Sequence, residues 1–249
     1  MIILLLILST LCCSSSAASA ENTVPNEQLQ QLIQRVETQY NGDSAHALTT
    51  MSVSTSHWQR TLTMEFWSWQ RERFLTRILR PAKEKGVGTL KIERKVWNYL
   101  PKVDRVIKIP SSMMGGAWMG SHITNDDLVK SSHVDEDYLF TLLHADEQRY
   151  QIECLPRPDS ATVWGKLIYT IDRPTLTPKQ IRYFDEDMLL VRTIFFDQLH
   201  QIDERIIPMR MRVQPADKPG EQTVLHYQSI EFDTGIGPEF FSLRNLKKH

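Results

Sequence analysis

The side chains with catalytic or metal-binding chemistry in this sequence are scattered histidines and two runs of carboxylates. His122, His133 and His144 have spacings that match no known zinc-ligand pattern, so we interpret them as solvated loop histidines. The carboxylates at 185–187 have the composition of a hairpin turn, and those at 135–137 that of a solvated loop. Paired carboxylates need a cleft in which to hydrolyse a substrate, and nothing in the sequence places either run in one. We therefore expect no metal site and no catalytic carboxylate pair.

Motifs of the common enzyme classes are missing as well. The sequence holds no Gly-x-Ser-x-Gly elbow, no His-Glu-x-x-His zinc motif and no Cys-x-x-Cys pair. Gly86 and Gly88 are followed by Lys91 where a dinucleotide-binding loop would need a third glycine. The sequence thus predicts a protein that is not an enzyme and has no cofactor. The alternative, an enzyme acting on lipids, would need a nucleophile that no motif identifies.

One stretch has unusual apolar chemistry. Residues 110–121 place Met113, Met114, Trp118 and Met119 among three glycines, with no charged residue. Methionine is an adaptable apolar side chain, and glycine allows backbone geometries that other residues resist. A mobile loop of this kind would suit a lid over an acyl chain. The alternative is a buried loop that fills space in the core.

The elements that must position this loop begin with one amphipathic helix at residues 25–40. Its apolar side chains recur at helical spacing and form a single stripe; they are Leu29, Leu32, Ile33, Val36 and Tyr40. Asn26 suits the N-cap, and Asn41 with the following glycine suits the end of the helix. Two shorter helices are predicted at residues 124–130 and 237–243.

After the first helix the hydrophobic period changes to that of a strand. About ten or eleven strand-like segments follow, and short turns such as those at 185–187 and 218–220 make neighbouring strands antiparallel. An antiparallel sheet of this size curls, closes or splits into a sandwich because its strands twist. We expect an α+β fold, a large curled antiparallel sheet (an unclosed β-barrel) with helices covering its concave face. A fully packed sandwich without a cavity is the alternative.

A curled sheet under helices encloses an apolar cavity, the usual kind of site for a lipophilic ligand. Alternation in the segment 61–69 already puts Leu62, Met64 and Phe66 on one face. The candidate ligand-binding residues, in the cavity or its lid, are aromatic and sulfur-containing side chains of the strands and the loop: Met64, Phe66, Trp97, Tyr99, Met113, Met114, Trp118 and Met119.

Net charge and the N-terminus limit the partners and the compartment. Lys and Arg number 29 against 30 Asp and Glu, so the basic excess of a nucleic-acid-binding protein is missing. Residues 1–20 are first apolar and then small, and Ala18-Ser19-Ala20 fits signal peptidase. The apolar run is shorter than the roughly 20 residues that span a bilayer. We therefore expect a cleaved signal peptide at 1–20 ahead of a single domain at 21–249.

The cysteines and a basic stripe complete the inventory. Lipid anchoring through Cys12 or Cys13 is the less favoured alternative, because no small residue precedes either cysteine. After cleavage Cys154 would be the lone cysteine, which we interpret as a buried strand residue. Basic residues recur on consecutive hairpin strands, either as ordinary solvent-facing side chains or as a positive stripe for acidic headgroups or an acidic partner. They are Lys91, Arg94, Lys95, Lys102, Arg105 and Lys108.

The stretch 81–128 also resembles a known family. Its motifs, in order, are Pro-Ala-Lys-x-Lys-Gly, Trp-x-Tyr-Leu-Pro, Arg-Val, Met-Gly-Ser and Asp-Asp-Leu. They are similar to those of the outer-membrane lipoprotein-sorting proteins of the LolA/LolB-like superfamily, and the resemblance covers about residues 25 to 246. Matches after residue 128 are Tyr169, Arg173-Pro174, Lys179, Tyr183-Phe184, Ile207-Pro208-Met209, Thr223, Tyr227, Phe240-Phe241 and Leu243.

This resemblance implies an unclosed antiparallel β-barrel with helices across its mouth, in the bacterial periplasm. It also implies a LolA-like cavity that binds acyl chains of lipoproteins or other lipids. We therefore expect a periplasmic, non-enzymatic carrier in outer-membrane lipoprotein or lipid sorting. Its expected partners are a lipid or an acylated lipoprotein, an inner-membrane exporter and, transiently, a membrane surface, with no nucleic acid. The alternative is an accessory protein that docks on an envelope exporter complex.

Overall fold

The structure, a computed structural model, describes residues 24–39, 42–130, 133–160 and 162–248. The predicted signal peptide at 1–20, with Cys12 and Cys13, lies outside the described residues, as do Tyr40 and Asn41. In the described ranges, no helix combines the length and the apolar character that crossing a membrane requires.

Thirteen strands form one antiparallel sheet in the described part of the chain. They are β1 Ser44–Ser54, β2 Gln59–Trp69, β3 Arg73–Arg80, β4 Gly88–Ile92, β5 Lys95–Leu100, β6 Arg105–Lys108, β7 Tyr138–Ala145, β8 Arg149–Pro156, β9 Lys166–Asp172, β10 Pro178–Phe184, β11 Leu190–Ile202, β12 Arg205–Pro215 and β13 Gln222–Phe232. Their order is β6-β5-β4-β3-β2-β1-β13-β12-β11-β10-β9-β8-β7. Because β6 and β7 lie at opposite edges of this order, the sheet is not closed. The predicted large, unclosed antiparallel sheet is confirmed.

Local turns and one long-range pairing produce this order. The predicted turns at 185–187 and 218–220 join β10 to β11 and β12 to β13. The two ends of the sheet-forming chain meet where β1 pairs with β13, for example at Met51 opposite Leu225. The connection from β6 to β7 is the long one, and it carries the uncharged loop and two short helices.

The first helix, α1 Asn26–Gln39, covers one face of the sheet and confirms the predicted amphipathic helix. Its buried side chains Leu29, Ile33 and Val36 pack in the largest core cluster, which also includes Met51 and Met64. We call this side of the sheet the inner face. The Asn26 side-chain amide donates to the Phe140 carbonyl at 3.0 Å, which attaches the start of the helix to the edge strand β7.

Three shorter helices follow the predicted positions only in part. They are α2 Asn125–Lys130, α3 Val134–Asp137 and α4 Leu243–Leu246. The first matches the prediction at 124–130, because the Thr124 hydroxyl and the Asp127 carboxylate cap each other's backbone amides. The prediction at 237–243 becomes a 3-10 turn, Pro238–Phe240, followed by α4.

The interpretation of residues 135–137 as a solvated loop is wrong. These residues belong to α3, and the Asp135 side chain is buried, with only 4% of its surface exposed. The cause is long-range, since the Arg71 guanidinium makes a bidentate ion pair with this carboxylate. The edge strand β7, which follows directly, was not among the predicted strands because three acidic residues precede it and its outer face is exposed.

The opposite side of the sheet, the outer face, has an apolar cluster of its own. Leu75, Leu90 and Tyr99 on β3, β4 and β5 are buried there against Phe241 and Leu246 of the C-terminal segment. The helices were expected on the concave face, whereas α4 covers strands on the outer face. Both faces of the sheet are therefore buried in this half, and both have apolar residues at every second position of the strands.

Candidate ligand-binding site

A cavity of about 280 Å³ lies between the inner face and the connection that crosses from β6 to β7. Most of its wall is apolar, and its apolar lining side chains include Met64, Phe66, Phe74, Trp118, Met211 and Leu225. Because strand side chains alternate between faces, Met64 and Phe66 on β2 point inward together with Ser68. Their neighbours across the strands are also inner-face residues, since Thr49 pairs with Met64 and Phe66 with Thr76.

The uncharged loop supplies the aromatic side chain of this wall. Trp118 is 4% exposed, and its indole Nε1 donates to the Thr89 hydroxyl at 3.0 Å. The loop folds back on itself, because the Trp118 amide donates to the Ile123 carbonyl at 2.7 Å. The Ser121 hydroxyl, also buried, donates to the Trp118 carbonyl at 2.7 Å. The buried tryptophan agrees with the alternative of a loop that fills core space, and its ring also borders the cavity. A lid over an acyl chain stays a prediction of the sequence.

The residues predicted to bind ligand divide between several places. Met64, Phe66 and Trp118 line the cavity. Met119 packs against the same core cluster without reaching the cavity wall. Met113 is 59% exposed and Met114 is half-buried in the turn before the tryptophan.

Trp97 and Tyr99 lie on the outer face of β5, against the C-terminal cluster. The reason is the phase of alternation along the strands. Trp97 pairs with Leu90, and Tyr99 pairs with Gly88. The residues between and beside these two on β4, Thr89 and Lys91, point inward, so Trp97 and Tyr99 point outward. A one-residue change of phase exchanges the two faces of a strand. Ligand contact by these two aromatic residues stays a prediction of the sequence.

Sequence reasoning missed the polar part of the cavity wall. Thr49, Ser68 and Thr76 line it with their side chains buried, and so does Lys91, which is 2% exposed. The lysine had been grouped with exposed basic residues, the rest of which are exposed in the structure. A usable signal was present: in β4, Lys91 alternates with Leu90, so it lies on the face opposite that leucine.

The Lys91 ammonium is held at the wall by a backbone group. It donates to the Arg71 carbonyl at 2.8 Å, and both residues line the cavity. Burial lowers the pKa of this amine to about 8, a shift that the Glu72 carboxylate opposes and the Arg71 guanidinium reinforces. The ammonium form therefore predominates at neutral pH.

A buried ion pair forms the opposite side of the cavity. Arg192 donates to both oxygens of Asp127, at 2.7 and 2.5 Å, and its guanidinium lies over the rings of Trp164 and Tyr183, which contact each other. Burial raises the pKa of the Asp127 carboxyl, but the hydrogen bonds from Arg192 and Thr124 more than offset this, so its pKa is below the usual value. The pair fixes α2 to β11 and so closes the cavity.

Next to the cavity, a polar cleft of about 470 Å³ shares Gln70 and Arg71 with it. Acidic residues predominate around this cleft, including Glu72, Glu136 and Asp233. An apolar chamber that adjoins a polar cleft is a suitable arrangement for an amphiphile, whose two ends need different surroundings.

The partly buried carboxyl of Glu37 lies near the C-terminal end of α1. Glu37 accepts a hydrogen bond from the Tyr169 hydroxyl at 3.1 Å. Burial raises the pKa of Glu37 to about 7, against the lowering effect of the tyrosine and of Arg71. This carboxyl therefore titrates near neutral pH.

The three histidines have separate partners in the structure. His122 contacts Glu221 and Thr223, His133 contacts Glu136, and His144 contacts Asp146. His122 and His133 are thus not the freely solvated histidines predicted, since His133 is buried and His122 half-buried. Within the ranges that the structure describes, no three His, Cys, Asp or Glu side chains come together as metal ligands.

Comparison with known proteins identifies similar chains. The model of a DUF1329-like family, described as uncharacterized proteins, matches residues 70–248. No curated protein sequence matches the chain. A DUF1329 family protein from Desulfovibrio piger has a TM-score of 0.81 and 22% identity, with 89% of this chain and 99% of that chain covered.

Two further solved structures are similar over the same extent. A domain described as an outer membrane lipoprotein-sorting protein, from Vibrio parahaemolyticus, has a TM-score of 0.79 and 23% identity over 90% of this chain and 100% of that chain. A LolA superfamily protein from Nitrosomonas europaea has a TM-score of 0.71 and 19% identity over 89% and 99%. At these identities the likeness establishes a shared fold, and at that level the predicted resemblance to the LolA/LolB-like superfamily is confirmed.

Proposed function

The chain belongs to the DUF1329-like family, and we propose that it is a carrier that holds a lipid or the acyl chain of a lipoprotein in the cavity of its curled sheet. The observation that supports this most is the apolar cavity of about 280 Å³, close to the lower end of the range for small-molecule sites. Each methylene buried from water contributes about 0.8 kcal/mol. A segment of about ten carbons would gain about 8 kcal/mol against the cost of its ordering.

The proposed role is non-enzymatic. A carrier has to exclude water from an acyl chain and release it later, and neither step breaks a bond. The carboxylate that borders the cavity, Asp127, is bound to Arg192, and the indole of Trp118 is bound to Thr89. These groups position the wall, which is what a carrier needs.

The proposal includes the periplasm as the compartment, with cleavage after Ala20 leaving one lipid-binding domain at 21–249. The small-x-small pattern at residues 18–20 supports it, as does the likeness to a lipoprotein-sorting domain. The proposed partners are an acylated lipoprotein or a lipid, an inner-membrane exporter and, briefly, a membrane surface. Exposed basic side chains at the β5–β6 edge support the last of these; they are Lys95, Lys102, Arg105 and Lys108.

The test is to fill the cavity without changing the rest of the fold. Leu225 lines the cavity, and Leu225→Trp would place an indole in the space for the acyl chain. Leu199→Trp is the matched control, because Leu199 lies on β11 with 43% of its surface exposed. Binding of a fluorescent dodecanoyl probe is measured by titration, and lipid that co-purifies with the protein is identified by native mass spectrometry.

We expect the wild type and Leu199→Trp to bind the probe with similar affinity and Leu225→Trp to lose about tenfold or more, the loss of about two buried methylenes. Circular dichroism verifies that both variants fold. The proposal is contradicted if the wild-type protein purifies without lipid and does not bind the dodecanoyl probe. Equal binding by all three proteins contradicts the assignment of this cavity.

A further inference from the structure

Two hydroxyl groups on the cavity wall lack hydrogen bonds within the protein. The side chains of Thr49 and Thr76 are 3% and 1% exposed, and among the described residues neither Oγ1 atom has a hydrogen-bond partner. A buried hydroxyl without a partner costs about 1–3 kcal/mol. Since both residues line the cavity, an acceptor within the cavity would satisfy them.

One of the two hydroxyls, that of Thr76, lies beside a buried positive charge. Thr76 on β3 pairs with Thr89, and Phe74 on β3 pairs with Lys91, so Thr76 and Lys91 are diagonal neighbours on the inner face. Diagonal neighbours across two strands are within reach of a long side chain. Ser68 of β2, which lies opposite Phe74, adds a second hydroxyl to this corner of the wall.

The charges of the cavity wall are unequal. The lining contains Arg71, Lys91 and Arg192, and one carboxylate, Asp127; Arg73 also lines it, but its guanidinium donates to the Pro238 carbonyl of the C-terminal segment. Asp127 is bound to Arg192, and Arg71 is bound to Asp135 outside the lining. The Lys91 ammonium donates to a backbone carbonyl and is attracted to the Glu72 carboxylate, and an anion inside the cavity would give it a charged acceptor on the cavity side as well.

We propose that the cavity selects amphiphiles with one anionic head group, a carboxylate or a phosphate, which Lys91 and the Thr76 hydroxyl recognise while the apolar wall holds the hydrocarbon. This inference rests on the proposed function, because it names the class of lipid that the carrier takes. Anionic oxygens are strong acceptors for both ammonium and hydroxyl donors. A trimethylammonium head group offers no hydrogen-bond acceptor, and its positive charge would be repelled by the Lys91 ammonium.

The experiment measures the competition of four twelve-carbon ligands against the fluorescent probe: laurate, dodecyl phosphate, dodecanol and dodecyltrimethylammonium. The variants are Lys91→Met and Thr76→Val, which remove the charge and one hydroxyl while retaining side-chain volume. The controls are Lys218→Met and Thr141→Val, at exposed positions in the β12–β13 turn and on β7.

The wild type and both controls are expected to bind laurate or dodecyl phosphate about tenfold or more tightly than dodecanol, as a charge-assisted hydrogen bond predicts. Lys91→Met should remove this preference and leave dodecanol affinity within about twofold, and Thr76→Val should reduce it. A preference for the phosphate over laurate would assign the head group to a phospholipid, and the reverse preference to a free fatty acid.

Equal binding of laurate and dodecanol by the wild type overturns the inference while the carrier proposal stands. The same holds if Lys91→Met keeps the full preference for anions. Failure of all four ligands overturns both. Should Lys91→Met not fold, the wild-type ligand series and Thr76→Val decide the question.

Discussion

The buried ion pair between Asp127 and Arg192 is the contact whose removal we expect to lower the free energy of unfolding substantially, although only one atom of the side chain changes. Asp127→Asn keeps the shape of the side chain, and its amide oxygen still accepts the two hydrogen bonds that Thr124 donates at 2.7 and 2.8 Å. The substitution removes the negative charge opposite Arg192 and puts an NH2 donor where Oδ1 accepted from Nη2. The guanidinium then remains over Trp164 and Tyr183, with 5% of its side chain exposed, and without its counter-ion.

Removing one partner of a buried ion pair typically costs about 3–5 kcal/mol, because the remaining charge is left uncompensated. We expect Asp127→Asn to lower the free energy of unfolding by about 3 kcal/mol, the low end, since the asparagine oxygen still accepts the hydrogen bond from Arg192 Nη1 as well as those from Thr124. For a protein of this length, that corresponds to a fall in Tm of about 6–12 °C. Urea denaturation and calorimetry at pH 7 measure both quantities.

The control is a similar pair at the surface. Arg210 donates to both oxygens of Asp197, at 2.5 and 2.8 Å, but the two side chains are 38% and 35% exposed. Asp197→Asn should therefore cost less than about 1 kcal/mol. Equal losses for the two variants, or a loss below about 1 kcal/mol for Asp127→Asn, would refute the reasoning from burial.

The pH dependence of stability is a second test of whether the effect comes from the charge of Asp127. Because the pKa of Asp127 is lowered in the folded protein, its contribution is present above the ordinary aspartate pKa and is lost as pH falls through the folded value. The difference in stability between wild type and Asp127→Asn should therefore shrink below about pH 4. A difference that stays constant down to pH 2 would exclude this origin.

Three further predictions concern a carboxyl, an indole and a glycine. Glu37 has its pKa raised to about 7, so the folded protein holds a proton that the unfolded chain releases, and stability falls as pH rises through that window. Glu37→Gln should gain about 1–3 kcal/mol at pH 8 and almost nothing at pH 4, measured by urea denaturation. Trp118→Ala should lose about 3–5 kcal/mol and weaken uptake of the dodecanoyl probe, because it enlarges the cavity and removes the bond to Thr89. Gly165→Ala would bring a Cβ atom to 2.2 Å from the Asp185 carbonyl oxygen and should cost about 2 kcal/mol or more in the same denaturation assay.

Each of these has an outcome that contradicts it. A loss of stability by Glu37→Gln at pH 8 would mean that the carboxylate is stabilised rather than desolvated. Unchanged probe affinity in folded Trp118→Ala would remove this indole from the site. Gly115→Ala is the control for Gly165→Ala, because nothing lies within 4 Å of its added Cβ, and equal costs at the two positions would contradict the steric argument.

Much of the architecture follows from local pattern. The helical stripe of α1, the alternation of β2 and the turns at 185–187 and 218–220 were all predictable, because each depends on residues close in sequence. The edge strand β7 was not predicted, since its outer face is exposed and an acidic run precedes it. The burial of Asp135 was not predictable from local pattern, because its ion-pair partner Arg71 lies in a distant part of the chain.

The period-two pattern of the sequence predicts that the side chains of a strand form two alternating sets, and that Met64 and Phe66 share one of them. It could not say which set lies inside, because a period of two treats both faces alike. That Trp97 and Tyr99 pack against the C-terminal segment depends on contacts between distant parts of the chain. The same holds for Lys91, a residue type that usually lies in solvent: it belongs to the cavity wall because the inner face of β4 is covered by the connection that carries Trp118.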